Sequence, residues 1–462
     1  MSSLTHKAGR AAFSAGFEIA YAKMGKDRQQ AVLDMFKLAE KYLKDADMGF
    51  DYDKMEAVIK EEDGVLMKYI NRLVDNLDKN VLKQAVLNFG YEAMFRGTKI
   101  MHEAREKYGC NVPWLILMDP TSACNLRCTG CWAAEYGHKL NLTLDEINNV
   151  IQQGKELGIH FYMYTGGEPL VRKDDLIKIC EMNPDCAFIA FTNGTLVDEA
   201  FCKELQRVGN LGLAISLEGF EDTNDDRRGQ GVFNRVMHAM DLLKEHGCMF
   251  GTSIAYTTHN CETVTSEEFI KMEIEKGVQF SMYFHYMPVG NDASPELMVT
   301  PEQREYMIKR IRKIRSLKDG EGLFCFDFQN DGEYVGGCIA GGRNYFHINA
   351  NGDAEPCVFI HYSNGNIREN TILEILQQPL LMAYHNNQPF SDNHLRPCPM
   401  LENPDILPKL VAESGAKSTD LQSPESADHL CQKTRLYAEM WAPESEKHFN
   451  YETKKVDMST LE

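Results

Sequence analysis

The segment Asp119-Pro-Thr-Ser-Ala-Cys124-Asn-Leu-Arg-Cys128-Thr-Gly-Cys131-Trp132 sets three cysteines four and three residues apart. Three thiolates that close can hold three irons of a cubane cluster, because soft sulfur ligands match iron–sulfur chemistry. The fourth iron then lacks a protein ligand and can bind a substrate atom directly. Zinc is the competing chemistry, but it generally takes four ligands, often from paired Cys-x-x-Cys units. One such pair is present, with His138 as a candidate fourth ligand. Cys338, Cys357 and Cys398 form a second group, and Asn351-Gly352 between its first two members is a strong turn signal. Cys180, Cys202, Cys248 and Cys261 sit singly in helical or strand-like stretches and read as small buried hydrophobes.

The chain that must position these groups has 462 residues, which suits two or three domains. Its 68 acidic and 49 basic side chains leave a formal charge of -19, which repels phosphate backbones, so nucleic acid is not an expected ligand. The longest clean apolar run, Val112–Met118, is far short of the roughly 20 residues of a membrane span. Ser14, Gly16 and Glu18 break up the mildly apolar Ala11–Ala22, a poor signal-peptide core. The cytoplasm is expected, where thiols stay reduced.

Residues 1–110 read as helix throughout, as in the stripe Leu66, Ile70, Leu73 and Leu77. From Val112 the texture changes. Trp114–Met118, Ile159–Tyr164, Ala187–Phe191, Leu211–Leu217, Met249–Tyr256 and Val278–Tyr286 are candidate strands separated by amphipathic helices. This alternation predicts parallel strands with right-handed crossovers. Six units are too few for an eight-stranded barrel, leaving an open partial barrel or a doubly wound sheet. In either, function sits at the carboxyl ends of the strands. Past Glu321 glycines punctuate short apolar pieces such as Tyr345–Ile348, which suggests hairpins. After Cys398 the chain turns polar, with one helix near 428–441.

Cys-x-x-x-Cys-x-x-Cys after the first strand of a six-fold strand–helix domain resembles the radical S-adenosylmethionine enzymes. In place of the family's frequent aromatic before the third cysteine stands Gly130, and Trp132 follows instead. The resemblance implies a partial (β/α)6 barrel over 111–320, preceded by an all-helical region, 1–110. It implies that Gly166, Gly167 and Glu168, in Thr165-Gly166-Gly167-Glu168-Pro169, hold the methionyl amino group. Asn193 would line the cofactor pocket, Ser216 and Glu218 would face ribose or substrate, Arg228 would meet the methionyl carboxylate, and Met287, in Tyr286-Met287-Pro288, would pack beside adenine. Cys338, Gly352 and Cys357 reproduce the Cys-x(9–15)-Gly-x4-Cys pattern of the SPASM and twitch extensions. The later dense cysteine run of a full SPASM domain is missing, so 321–400 resembles a shortened, twitch-like version. Its single auxiliary cluster would take Cys338, Cys357 and Cys398, with Cys325, Cys431 or no residue as fourth ligand. Residues 401–462 are expected to form a polar tail with one helix.

The resemblance further implies that a reduced cluster at Cys124, Cys128 and Cys131 binds S-adenosylmethionine. Reductive cleavage gives a 5′-deoxyadenosyl radical that abstracts hydrogen from a substrate. A flavodoxin- or ferredoxin-type electron donor and sensitivity to oxygen follow. A peptide or protein is the first expected substrate class, a lipid or small metabolite the second, and a non-catalytic electron-transfer protein the reading from outside enzymology. No catalytic acid stands out among Tyr136, His285, Tyr334 and His361.

Overall fold

The computed structural model describes residues 3–43, 51–290 and 293–461. Nine strands form one sheet: β1 Leu115–Met118, β2 Phe161–Tyr164, β3 Ala187–Thr192, β4 Leu211–Ser216, β5 Phe250–Tyr256, β6 Phe280–His285, β7 Phe324–Asp327, β8 Tyr345–Ile348 and β9 Ala354–Glu355. Their order is β7-β6-β5-β4-β3-β2-β1-β8-β9. Every pairing from β7 to β8 is parallel, and only β8–β9 is antiparallel. The strands are short unbroken apolar runs because a parallel sheet is covered on both faces. Between them run helices that start on side-chain caps. In Leu144–Glu156, Thr143 and Glu146 close a capping box; Asp198 caps Glu199–Val208; Ser266 caps Glu267–Lys276.

The six expected strands are β1 to β6. Two more join them. β8 docks parallel on β1, with Leu115 opposite Tyr345 and Met118 opposite Ile348, and β7 extends the other edge beside β6. Tyr345–Ile348 does open a hairpin with β9, as expected, while its other edge completes an eight-strand parallel array. Side chains from Leu117 on β1 round to Phe326 on β7 and Tyr345 on β8 line one cavity, so the sheet curves around it. β7 and β8 do not pair with each other, which leaves the barrel open there.

Before β1, the described residues from Ser3 to Tyr108 form helices and no strand. One of them, Ala85–Gly97, is π-helical, and it buries Glu92 against His6, Arg10 and Arg96. The expected polar tail needs correcting. Its helix Ala427–His448 buries Leu430, Tyr437 and Trp441 in the same core as the cysteines of the second group. Apolar residues spread over a 22-residue helix, among many charges, hid this face from a composition-based reading.

Candidate active site

The first cysteine group lies on the loop that leaves the carboxyl end of β1, stitched to three neighbouring loops. Gly167 N–H donates to Thr121 O (3.0 Å) and Glu168 N–H to Ala123 O (2.8 Å). Asn125 bonds Thr195 Oγ1 and accepts from Asn193 Nδ2, both at 2.8 Å. Thr129 N–H donates to Arg227 O (3.0 Å). Cys124 Sγ already accepts Leu126 N–H at 3.4 Å. Burial pushes the Cys124 thiol up to about 11, so loading this loop with metal must displace protons.

The glycines of the Gly-Gly-Glu segment serve this stitching. A Cβ on Gly167 would lie 2.2 Å from Ala123 O, and one on Gly166, at φ +97°, would lie 2.7 Å from Asp119 Cβ. The close approach they permit is between two loops of the protein. Glu168 is fully buried. Its Oε1 accepts from Leu170 N–H (2.9 Å) and Thr192 Oγ1 (2.7 Å), and its Oε2 from Asn193 N–H (2.7 Å). The carboxylate expected to receive an ammonium thus clasps the ends of β2 and β3 together. Burial raises its pKa against those hydrogen bonds. Thr165, Ser216, Glu218, Arg228 and Met287 line the cavity that the sheet curves around, and the partly exposed Gly166 and Gly167 follow Thr165 on the same loop.

Arg228 is in a buried ion pair. Glu218 Oε1 accepts from Arg227 Nη1 and Arg228 Nη2, both at 2.5 Å, while Glu218 Oε2 is buried with no partner. Arg228 Nη1 lies 3.9 Å from Cys128 Sγ, which places a guanidinium beside the cluster loop. Gly130 has φ +65°, and a Cβ there would lie 2.6 Å from Tyr286 Oη. Tyr286 occupies the space beside Gly130, so the ring at the end of β6 replaces one on the cluster loop.

The second group is assembled by the predicted hairpin. Gly352, at φ +83°, turns β8 into β9, and Cys357 follows. Gly341 N–H donates to Pro356 O (2.8 Å), which brings the Cys338 loop alongside. Cys398 Sγ accepts Met400 N–H and Leu401 N–H, both at 3.4 Å, and Tyr345 Oη lies 2.8 Å from Cys357 Sγ. Burial pushes the Cys338 thiol up to about 12 and the Cys357 thiol up to about 11. Of the two fourth-ligand candidates, Cys325 donates to Ile311 O at 3.6 Å, and Cys431 is buried on the helix Ala427–His448.

Sequence reasoning missed the network between the two groups. His347 on β8 is wholly buried, with Nε2 2.8 Å from Asp119 Oδ1 and Nδ1 2.7 Å from Glu355 Oε2. Burial opposes its charge, yet the two carboxylates push it up to about 10. Tyr136 donates to Glu355, and Trp132 packs edge-on to His347, with centroids 5.8 Å apart. Asp119 precedes Cys124 and Glu355 precedes Cys357 by few residues, which is the only signal the sequence carries. Of the other polar groups considered, His361 pairs with Asp420 (2.6 Å) and Tyr334 is exposed. His285 lines the cavity with Nε2 unpartnered, and burial lowers it to about 3.

The cavity has a volume of about 760 Å³. It reaches Gly130 and Trp132 beside Cys131, Glu218 and Arg228, and also Cys338, Cys357 and Cys398. Most of its remaining wall is apolar, including Leu117, Met163, Phe191, Met282, Phe284 and Phe326. A tetrahedral zinc with Zn–S near 2.3 Å sets thiolates roughly 3.8 Å apart. Among the described residues, only Glu305, Glu444 and His448 bring three ligand atoms within 4.8 Å of one another. In neither cysteine triad do all three sulfurs lie within that distance of one another.

An open parallel barrel with a three-thiol loop after β1 and a second triad across the cavity defines a radical S-adenosylmethionine type of iron–sulfur enzyme. Comparison with known proteins agrees. Residues 118–272 match the Radical SAM superfamily, and residues 338–400 match the SPASM iron–sulfur cluster-binding domain. The chain is 27% identical over 294 residues to an AdoMet-dependent heme synthase of Methanosarcina barkeri, covering 57% of this chain and 82% of that one. It is 26% identical over 318 residues to an Fe-coproporphyrin III synthase of the same organism (62% and 79% covered). A GTP 3′,8-cyclase of Clostridium perfringens is 29% identical over 234 residues (47% and 68%). The crystal structure of Streptococcus suis SuiB shares the fold at a TM-score of 0.51 and 16% identity, covering 79% of this chain and 81% of that one. The protein is a radical SAM enzyme with a SPASM domain. Its first domain binds a [4Fe–4S] cluster with S-adenosylmethionine, and its second a further iron–sulfur cluster. No helix among the described residues is long and apolar enough to cross a membrane.

Proposed function

We propose that this enzyme takes hydrogen from an uncharged, apolar carbon framework held between its two clusters. The observation that carries this reading is one cavity that touches the second cysteine group and, through Gly130, Trp132 and Arg228, the surroundings of the first, with largely apolar walls between them. When bound, the first cluster supplies the electron that splits S-adenosylmethionine into methionine and a 5′-deoxyadenosyl radical. Cys124, Cys128 and Cys131 hold that cluster, and Arg228 offers positive charge beside Cys128. Glu218 presents its free Oε2 at the carboxyl end of β4, and Tyr286 and Met287 flank the loop at Gly130. Gly166, Gly167, Glu168 and Asn193 fix the loops around that site.

Cys338, Cys357 and Cys398 hold the auxiliary cluster. All three thiols face the cavity, so an open iron there would meet the substrate. The mostly apolar wall between the two clusters favours a hydrocarbon-rich small molecule. The hydrogenated framework of a lipid and that of a tetrapyrrole, such as the heme synthases named among the relatives handle, both fit this description. Electrons would come from a flavodoxin- or ferredoxin-type donor in a reducing cytoplasm, where thiols are kept available for iron.

Anaerobic reconstitution tests the reading. About eight irons per chain and 5′-deoxyadenosine on adding dithionite and S-adenosylmethionine are expected. Cys128→Ala should abolish nucleoside formation, and full activity in that variant would sink the ligand assignment.

A further inference from the structure

Tyr384, on the helix Pro379–Asn387, is fully buried, and its hydroxyl has no hydrogen-bond partner. A buried hydroxyl left unpaired is costly, and its persistence calls for a partner that the polypeptide does not supply. The surroundings name one. Tyr384 shares a core cluster with Cys357, against which Cys338 and Cys398 pack. The ring is wedged under the backbone that carries these thiols: a Cβ on Gly341, three residues past Cys338, would lie 2.3 Å from Tyr384 Cβ. Phe390 braces the other side, edge-on at 5.1 Å.

A second tyrosine already makes the contact that the first lacks. Tyr345 Oη is 2.8 Å from Cys357 Sγ. Once Cys357 is an iron ligand its thiolate has no hydrogen to give, so Tyr345 is the donor. Tyr345 and the three thiols line the cavity, whereas Tyr384 lies outside that lining, on the protein side.

We propose that Tyr384 donates its hydroxyl hydrogen to a sulfur of the auxiliary cluster, as Tyr345 does to Cys357, and that the pair sets the potential at which this cluster accepts an electron. The inference rests on the assignment of Cys338, Cys357 and Cys398 as the ligands. Reduction adds negative charge to the cluster sulfurs, so a donor stabilises the reduced form more than the oxidised one and raises the potential. Both tyrosines are positioning residues: they act through the cluster.

The test uses the full chain with Cys124, Cys128 and Cys131 changed to Ala, so that only the auxiliary cluster assembles. Iron is counted and the midpoint potential is read by an EPR-monitored redox titration. Y384F and Y345F should each keep their iron and lower the reduction equilibrium constant about tenfold, ~59 mV for one electron. An unmoved potential in Y384F with iron retained overturns the proposal. If Y384F loses iron, 3-fluorotyrosine at position 384 keeps the shape and strengthens the donor; the potential must then rise, and no change overturns the proposal. A parent chain that binds no iron would instead bring down the ligand assignment, and this inference with it.

Discussion

Gly167 shows how little space separates the two loops that frame the cofactor site. Its missing Cβ leaves room for Ala123 O, 2.2 Å from where that carbon would stand. Gly167→Ala should therefore push the cluster loop off its seat. The expected outcome is loss of nucleoside formation and of about four irons, with the far-UV circular dichroism unchanged. His347 makes a different prediction. Its folded pKa, about 10, is raised above the ordinary value of 6.5 by Asp119 and Glu355 despite burial. The stabilisation is therefore fully present below about pH 6.5 and lost as pH rises through 10. Thermal midpoints of the apoprotein should fall between pH 7 and 10, and His347→Gln should flatten that slope. A slope unchanged in the variant would mean that His347 is not the group being lost.

Two helices that lie behind the cavity lining hold the third auxiliary thiol. Arg304, on Pro301–Ile314, is wholly buried; it pairs with Glu402 at 2.8 Å and stacks over Trp441 at 4.5 Å. Glu402 in turn accepts Cys398 N–H at 2.8 Å. Thr434 and Trp441, on Ala427–His448, bond the carbonyls of Met400 and Leu395. Removing one partner of a buried pair strands the other charge, at about 3–5 kcal/mol. Arg304→Ala should lower stability by that amount in urea unfolding and loosen the auxiliary cluster, with the first cluster's iron retained. Equal loss of both clusters would place Arg304 in general folding instead.

At the scale of the whole molecule, one cavity joins the second cysteine group to the neighbours of a first group more than 200 residues earlier in sequence. Ala255, midway along its wall on β5, is small enough to leave space for a substrate. Ala255→Phe should leave reductive cleavage of S-adenosylmethionine intact while blocking hydrogen transfer, read as deuterium from labelled substrate in 5′-deoxyadenosine. Cys357→Ala should likewise keep nucleoside formation and lose product. Product formation in both variants would put the substrate elsewhere.

The local spacing of Cys124, Cys128 and Cys131, the Asn351-Gly352 turn and the six apolar runs were legible in the sequence because each is a short-range signal. A strand, a tight turn and a three-ligand loop are specified within a dozen residues. The parallel seat of β8 on β1, the Glu168 clasp, the Asp119–His347–Glu355 network and the orphan hydroxyl of Tyr384 were not legible. Each joins residues distant in the chain, and what decides them is which side chains share a buried space once the sheet has curved. Ligand types could thus be read from composition and order. Their partners, their accessibility and the apolar chamber between them exist only in the tertiary structure, since burial and hydrogen bonding are properties of neighbours in space.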